Sequence, residues 1–240
     1  MELNFLGRGA AFNPKEGNTS AFFIDNNELF LIDCGESIFK EIIENNILNN
    51  IEKINIMITH THCDHIGSIG SLIMYSYYKL NNKVNIIVPK EKKEYISNLL
   101  SIINLFGCSK DMYNTKYDIE YSNKYNVFQH ISFVTTKHVD NLECFSIVFN
   151  TKDGIIFYSR DTKEINPLIK IINSNQKIDK IYIDTTNDNY PNNVHLNIEI
   201  IHNNIPFELK NKVYCMHINN YECIKLIEKY GFNIVKIYKL

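Results

Sequence analysis

Tryptophan is absent from this 240-residue chain, and proline and glycine are scarce, at 5 and 9 residues. With no Pro- or Gly-rich stretch, low-complexity block or internal repeat to mark a linker, residues 1–240 read as a single domain. No apolar run approaches the roughly 18 residues that a membrane helix needs, so no membrane association is expected. The opening Met1-Glu2-Leu3-Asn4 lacks the basic and apolar regions of a secretory signal. The six cysteines, at 34, 63, 108, 144, 215 and 223, form no close-spaced framework and read as buried or free thiols of a reducing compartment. A formal net charge of −2 predicts no extended nucleic-acid surface. These absences point to a cytoplasmic protein, with 45% hydrophobic residues to build its core.

What is present is a cluster of metal-ligating side chains. The apolar run Ile54-Asn55-Ile56-Met57-Ile58 leads into Thr59-His60-Thr61-His62-Cys63-Asp64-His65, with three imidazoles and a carboxylate between His60 and His65. Imidazole nitrogens and carboxylate oxygens are the ligands that zinc and similar divalent ions prefer. Groups so costly to desolvate need a compensating partner at the mouth of a buried strand. A tight loop there presents His60 and His62 to one metal, and Asp64 and His65 to a second. The missing ligands are expected at other strand ends, where loops carry function. His138 follows Ile131–Thr136, Asp161 follows Gly154–Ser159, and His217 follows Lys212–Met216. His138 completes three imidazoles on the first metal, His217 joins Asp64 and His65 on the second, and Asp161 bridges.

The segment His60-Thr61-His62-Cys63-Asp64-His65 resembles the HxHxDH signature of the metallo-β-lactamase superfamily. His138, Asp161 and His217 follow in the order of that superfamily's later ligands. The resemblance runs from Leu3 to about Tyr238 and implies an α/β fold, an αββα sandwich of two mixed sheets with outer helices. Residue patterns alone give only α/β. They place strands at 3–6, 20–24 and 28–32, with Asn26-Asn27 as a hairpin turn. Helices are predicted at 36–48, 67–80 and 90–105, and a strand at 84–88. Residues 143–150 and 155–159 form a hairpin, and the chain closes with a helix at 221–230 and a strand at 234–238.

Such metal pairs serve hydrolysis of lactams, thioesters, lactones and phosphodiesters alike, so the ligands alone choose no substrate. By resemblance, a bridging Asp161 argues against a zinc β-lactamase, and His62 against the di-iron oxidoreductases. The opening Leu6-Gly7-Arg8-Gly9-Ala10-Ala11-Phe12, with Glu16-Gly17-Asn18-Thr19-Ser20, resembles the ribonuclease Z branch. So do Ile181–Thr186 and Val194–Asn197, which implies His195 as general acid with Asp184 orienting or charging it. The catalytic residues expected are then His195, Asp64 and Asp184. Asp184 stands where a glutamate is commoner in that branch.

Transfer-RNA 3′-processing enzymes of this branch carry a long Gly- and Pro-rich arm with basic residues, and nothing here matches one. The compactness of the chain, with the stretch around Asp33-Cys34-Gly35-Glu36, most resembles the anti-Pycsar cyclic-mononucleotide phosphodiesterases by which phages destroy a host signal. The resemblance implies a small cyclic-nucleotide substrate, two zinc ions per chain with manganese as the alternative, a homodimer, and action in the host cytoplasm. A ribonuclease Z-like endonuclease and a nucleotide-binding module without turnover are the alternatives. Tyr113, Tyr117, Tyr121 and Tyr125 recur every fourth residue, a spacing read as packing or a dimer contact in preference to stacking on a base.

Overall fold

Residues 28–32 run Glu-Leu-Phe-Leu-Ile, and every one of them is buried. Successive side chains on a strand point to opposite faces. Leu29 and Leu31 pack with one hydrophobic cluster while Phe30 and Ile32 pack with another, so this strand lies inside a layered structure with both faces covered.

A computed structural model describes residues 1–119 and 124–240. Its first half contains β1 (Asn4–Gly7), β2 (Ser20–Asp25), β3 (Glu28–Ile32), α1 (Ile38–Glu44), β4 (Lys53–Met57), α2 (Cys63–Ile66), α3 (Ile69–Leu80), β5 (Val84–Val88), α4 (Lys93–Leu105) and β6 (Tyr113–Tyr117). Its second half contains β7 (His130–Thr136), β8 (Cys144–Asn150), β9 (Ile155–Tyr158), α5 (Asn166–Ile172), β10 (Ile178–Asp184), α6 (Ile198–Asn204), β11 (Val213–Met216), α7 (Tyr221–Lys229) and β12 (Asn233–Ile234).

Two six-stranded mixed sheets result, ordered β1-β2-β3-β4-β5-β6 and β12-β11-β10-β9-β8-β7. Their inner faces meet through Phe5, Phe23, Phe30, Ile32 and Met57 on one side and Ile147, Phe149, Ile156 and Tyr158 on the other. The outer face of the first sheet is covered by α1, α3 and α4 through Ile38, Ile42, Leu72, Ile73 and Leu99. That of the second is covered by α5, α6 and α7 through Leu168, Ile201, Cys223 and Ile227. This is the four-layered αββα arrangement. All six cysteines are free. No described helix is long and apolar enough to cross a membrane.

Strand direction positions the site. β3, β4, β5 and β6 run parallel. In the second sheet β9, β10 and β11 are parallel, and β7 shares their direction because β8 is antiparallel to both β7 and β9. The C-terminal ends of β3 and β4 in one sheet, and of β7, β9, β10 and β11 in the other, carry the residues discussed next.

Several expected boundaries move. The first helix is Ile38–Glu44 rather than 36–48, because Asn45 caps it and Asn46 turns left-handed at φ 52°. The helix expected at 67–80 begins at Ile69, after the separate turn α2, and the one expected at 90–105 begins at Lys93 because Lys92 is not helical. The strand expected at 234–238 pairs only over Asn233–Ile234; beyond Val235 the chain crosses to the first sheet, where Tyr238 N donates to Phe5 O at 2.7 Å. The tyrosine series is not helical. Tyr113 and Tyr117 bound β6, Tyr121 lies outside the described residues, and Tyr125 stacks on Phe128 in the core with ring centroids 4.5 Å apart.

Candidate metal centre

The loop after β4 is tied to the loop after β3 before any ligand is placed. Asp33 accepts from the Thr59 backbone N–H at 2.9 Å and from its hydroxyl at 2.8 Å, and Cys34 N donates to His65 O at 2.7 Å. His62 ends the extended segment and starts α2, whose single turn carries Asp64 and His65 inward. Gly35 packs against the carbonyl of Asp64, where a Cβ would strike backbone.

Around this loop the ligand-type atoms of His60, His62 and His138 lie within 4.8 Å of one another, and so do those of Asp64, His65, Asp161 and His217. Asp161 Oδ2, of the second set, also faces the first: it lies 3.3 Å from Nε2 of His65 and of His217, 3.8 Å from that of His138 and 3.9 Å from that of His60. Asp64 Oδ2 lies 2.9 Å from His65 Nε2 and 3.5 Å from His217 Nε2. All seven expected ligands are thus brought together in two neighbouring groups, with Asp161 on the side of the second that faces the first.

The outward ring nitrogens of three of these histidines face oxygen atoms. His138 Nδ1 donates to Val194 O at 2.9 Å, His65 Nδ1 faces Asp33 at 3.4 Å, and His217 Nδ1 faces Asp184 Oδ1 at 3.4 Å. The Val194 carbonyl fixes the tautomer of His138 and leaves its Nε2 lone pair directed at the centre. Asp161 Oδ1 is buried with no hydrogen-bond partner. Converging nitrogen lone pairs, a carboxylate that faces both groups and an orphaned buried oxygen fit two divalent cations.

The electrostatics agree. Burial holds His60 well below the ordinary histidine range, hence neutral and able to ligate. Burial also opposes charge on Asp161, but His217, Arg160 and His60 outweigh it and keep the carboxyl ionised. Burial opposes the charged form of His217 too, yet Asp161, Asp184 and Asp64 push it up to about 10. That excess of carboxylates over neighbouring cations is what a bound cation would relieve.

Asp184, the last residue of β10, faces the space between the sheets and is fully buried. Its Oδ2 accepts from Thr162 N at 2.9 Å and pairs with His195 Nδ1 at 2.9 Å. His195 lies between the rings of His138 and His217, at centroid distances of 4.9 and 4.7 Å, with 23% of its side chain exposed. Burial lowers its affinity for a proton, but the Asp184 carboxylate wins and raises its pKa. The contact of Asp184 with His217 was not anticipated.

A model of the family described as anti-Pycsar protein Apyc1 matches residues 1–234. The chain belongs to that family. An anti-Pycsar protein Apyc1 of Bacillus phage vB_BveM-Goe7 is 29% identical over 176 residues, covering 67% of each chain. A ribonuclease Z of Methanococcus aeolicus is 38% identical over 104 residues, which span 42% of this chain and about a third of that enzyme, 32%. Among solved structures, the metallo-β-lactamase fold protein YhfI from Bacillus subtilis matches with a TM-score of 0.72 at 14% identity, over 99% of this chain and 95% of that one. That likeness shows the fold. Family, fold and donor set together support a metal-dependent hydrolase.

Two residues at the centre were given no role by the sequence. Asp33 lies beyond β3, as Asp161 lies beyond β9, so the signal of a carboxylate closing an apolar strand was present. Burial pushes it up to about 6, against the pull of Arg160 and Thr59, which leaves it ionised at neutral pH. Arg160 gave no signal, since nothing in its neighbours announces a buried guanidinium. It is fully buried, with Nε 2.8 Å from Asp33 Oδ2. Of the ten described non-glycine residues with positive φ, seven are asparagines; the others are Asp33, Arg160 and His217, at 61°, 58° and 58°. Such backbone costs on the order of 1–3 kcal/mol per residue and gathers at functional sites.

Proposed function

We propose that this chain is a metal-dependent phosphodiesterase that opens a cyclic mononucleotide to a linear nucleoside monophosphate. In this reading it is a phage product acting in the host cytoplasm, where it removes a cyclic-nucleotide defence signal. The observation that carries it is the Asp184–His195 pair, 2.9 Å apart, beside seven converging donors. His60, His62, Asp64, His65, His138, Asp161 and His217 would hold two divalent cations, zinc or else manganese, which would supply Lewis-acid charge and lower the pKa of water. Asp184 takes the Nδ1 side of His195, so the proton available for transfer is that on Nε2. Water adds to phosphorus and sheds a proton, the P–O bond to the ribose breaks, the Nε2 proton ends on the departing oxygen, and the proton shed by water returns His195 to its acid form.

A small substrate is favoured over RNA by how the chain spends its residues. Between His65 and His138 it builds α3, β5, α4 and β6 onto the first sheet. Polynucleotide affinity rests on many Lys and Arg contacts to phosphate, and the net charge here is −2. The family name and the phage relative support the same choice. The reading includes a symmetric homodimer, the commonest closed assembly, and sedimentation of an active monomer at assay concentration would retire that part.

The test is a panel of cyclic mononucleotides and a precursor tRNA incubated with purified, metal-loaded protein, products being identified by mass. Linear monophosphates from at least one cyclic nucleotide are expected. Cleavage of the precursor tRNA alone makes the chain a ribonuclease Z-like endonuclease. Metal-dependent nucleotide binding without any product makes it a binding module.

A further inference from the structure

Arg160 lies against the ligand set of the second metal. Its Nε donates to Thr59 Oγ1 at 2.8 Å and lies 2.8 Å from Asp33 Oδ2. Beyond this anchored nitrogen the two terminal nitrogens reach the donors: Nη1 is 3.5 Å from Asp161 Oδ1 and has no hydrogen-bond partner, and Nη2 donates to His65 Nε2. A guanidinium has only donors and keeps its charge in a protein. The His65 nitrogen must therefore accept, consistent with its Nδ1 facing Asp33. The lone pair that Arg160 uses is the one a metal at Asp64, His65, Asp161 and His217 needs. At the other set, the nitrogens of His60 and His62 face each other at 3.1 Å and His138 Nε2 faces Asp161; no guanidinium is bonded to them among the described residues.

We propose that Arg160 is a built-in cation that occupies the His65 lone pair and is displaced from it when a divalent ion enters, so that the two metals bind in unequal steps. The His60–His62–His138 set fills first. The Asp64–His65–Asp161–His217 set fills second, because its ion must turn the terminal nitrogens of Arg160 away and then share the site with a fixed positive charge. The Asp33–Thr59 anchor holds Nε throughout and makes a swing of the outer nitrogens sufficient. Arg160 is on this view a positioning residue whose effect is on metal loading, and the ambient metal level sets how much of the enzyme is doubly loaded.

The inference rests on the metal reading of the site, and the experiment separates the two. Full-length protein stripped with a chelator is titrated with Co²⁺, followed by its absorption and by heat. Wild type should take two ions in steps separated by about 10- to 100-fold, the usual reach of residues behind metal ligands. Arg160→Gly, which suits the positive φ of this position, should tighten the weaker step and close most of that gap while leaving the tighter step in place. Should Arg160→Gly leave Asp33 uncompensated and fail to fold, the double variant with Asp33→Asn removes that charge and serves instead. Two equal steps in wild type, or an unchanged gap in a folded variant, overturn the role of Arg160 alone. No ion bound by folded wild type overturns the metal reading beneath it.

Discussion

Alanine at position 195 removes an imidazole whose Nδ1 lies 2.9 Å from Asp184, while none of the seven expected metal ligands is touched. Loss of a general acid lowers turnover by about 10²–10⁴-fold. At about 1.4 kcal/mol per tenfold this is roughly 3–5 kcal/mol of barrier. The loss should fall on the cyclic nucleotide, whose ribose oxygen departs poorly unless protonated. A nitrophenyl phosphodiester, whose leaving group needs little protonation, should lose no more than about tenfold. Asp184→Asn grades the effect by keeping the imidazole and removing the charge behind it. A unit charge about 4 Å away is worth roughly 4 kcal/mol at an effective dielectric constant near 20. Asp184 raises the pKa of His195, so its neutralisation lowers it and the acid form is lost at lower pH. The Asn variant should therefore lie between wild type and His195→Ala at neutral pH and close on wild type as the pH falls. Chromatography of the monophosphate, absorbance of nitrophenol and elemental analysis supply the readouts. If His195→Ala slows both substrates equally, or strips the metals, His195 positions the site and donates no proton.

Asp161→Ala should abolish activity and lower the metal count, because its Oδ2 belongs to the second donor set and faces His60 and His138 of the first at 3.9 and 3.8 Å; fewer than two metals in folded wild type saturated with metal would contradict the two-metal reading. Gly35→Ala should cost about 1–3 kcal/mol and reduce metal content, since its Cβ meets the Asp64 backbone rather than a yielding side chain, and thermal melts with and without chelator measure both. Glu28, far from the metals, is opposed by burial but held below the ordinary glutamate value by Lys124 at 2.7 Å, Lys53 at 3.1 Å and Asn55 at 3.3 Å. A depressed carboxylate contributes its stability above its unfolded pKa and loses it as the pH falls through the folded one. The difference in unfolding free energy between wild type and Glu28→Gln should accordingly be full near neutrality, at about 1 kcal/mol with both lysines half exposed, and vanish in acid; a difference independent of pH would show that the charge contributes nothing.

Much of this molecule was legible in one dimension because the signals are local. An imidazole or carboxylate closing an apolar run marks a strand end, and His60, His138, Asp161, Asp184 and His217 were all found that way or by the family pattern. The apolar run at 28–32 marked a strand, and the structure places it there with both faces covered. Less legible was where elements stop. The C-terminal strand leaves its sheet because a backbone partner waits at Phe5, in the other sheet. A residue's own neighbours do not record such a partner.

The sequence by itself determined the kinds of donor, their order and their delivery at strand ends, since ligand chemistry belongs to residue type and strand periodicity to nearest neighbours. Only the tertiary structure decided that Asp184 serves both His195 and His217, that Asp33 backs His65, and that Arg160 reaches His65 and Thr59 from 95 and 101 residues away. Those meetings depend on how one sheet lies across the other, which is set by the whole inner core of Phe, Ile and Tyr side chains and by no short stretch of it.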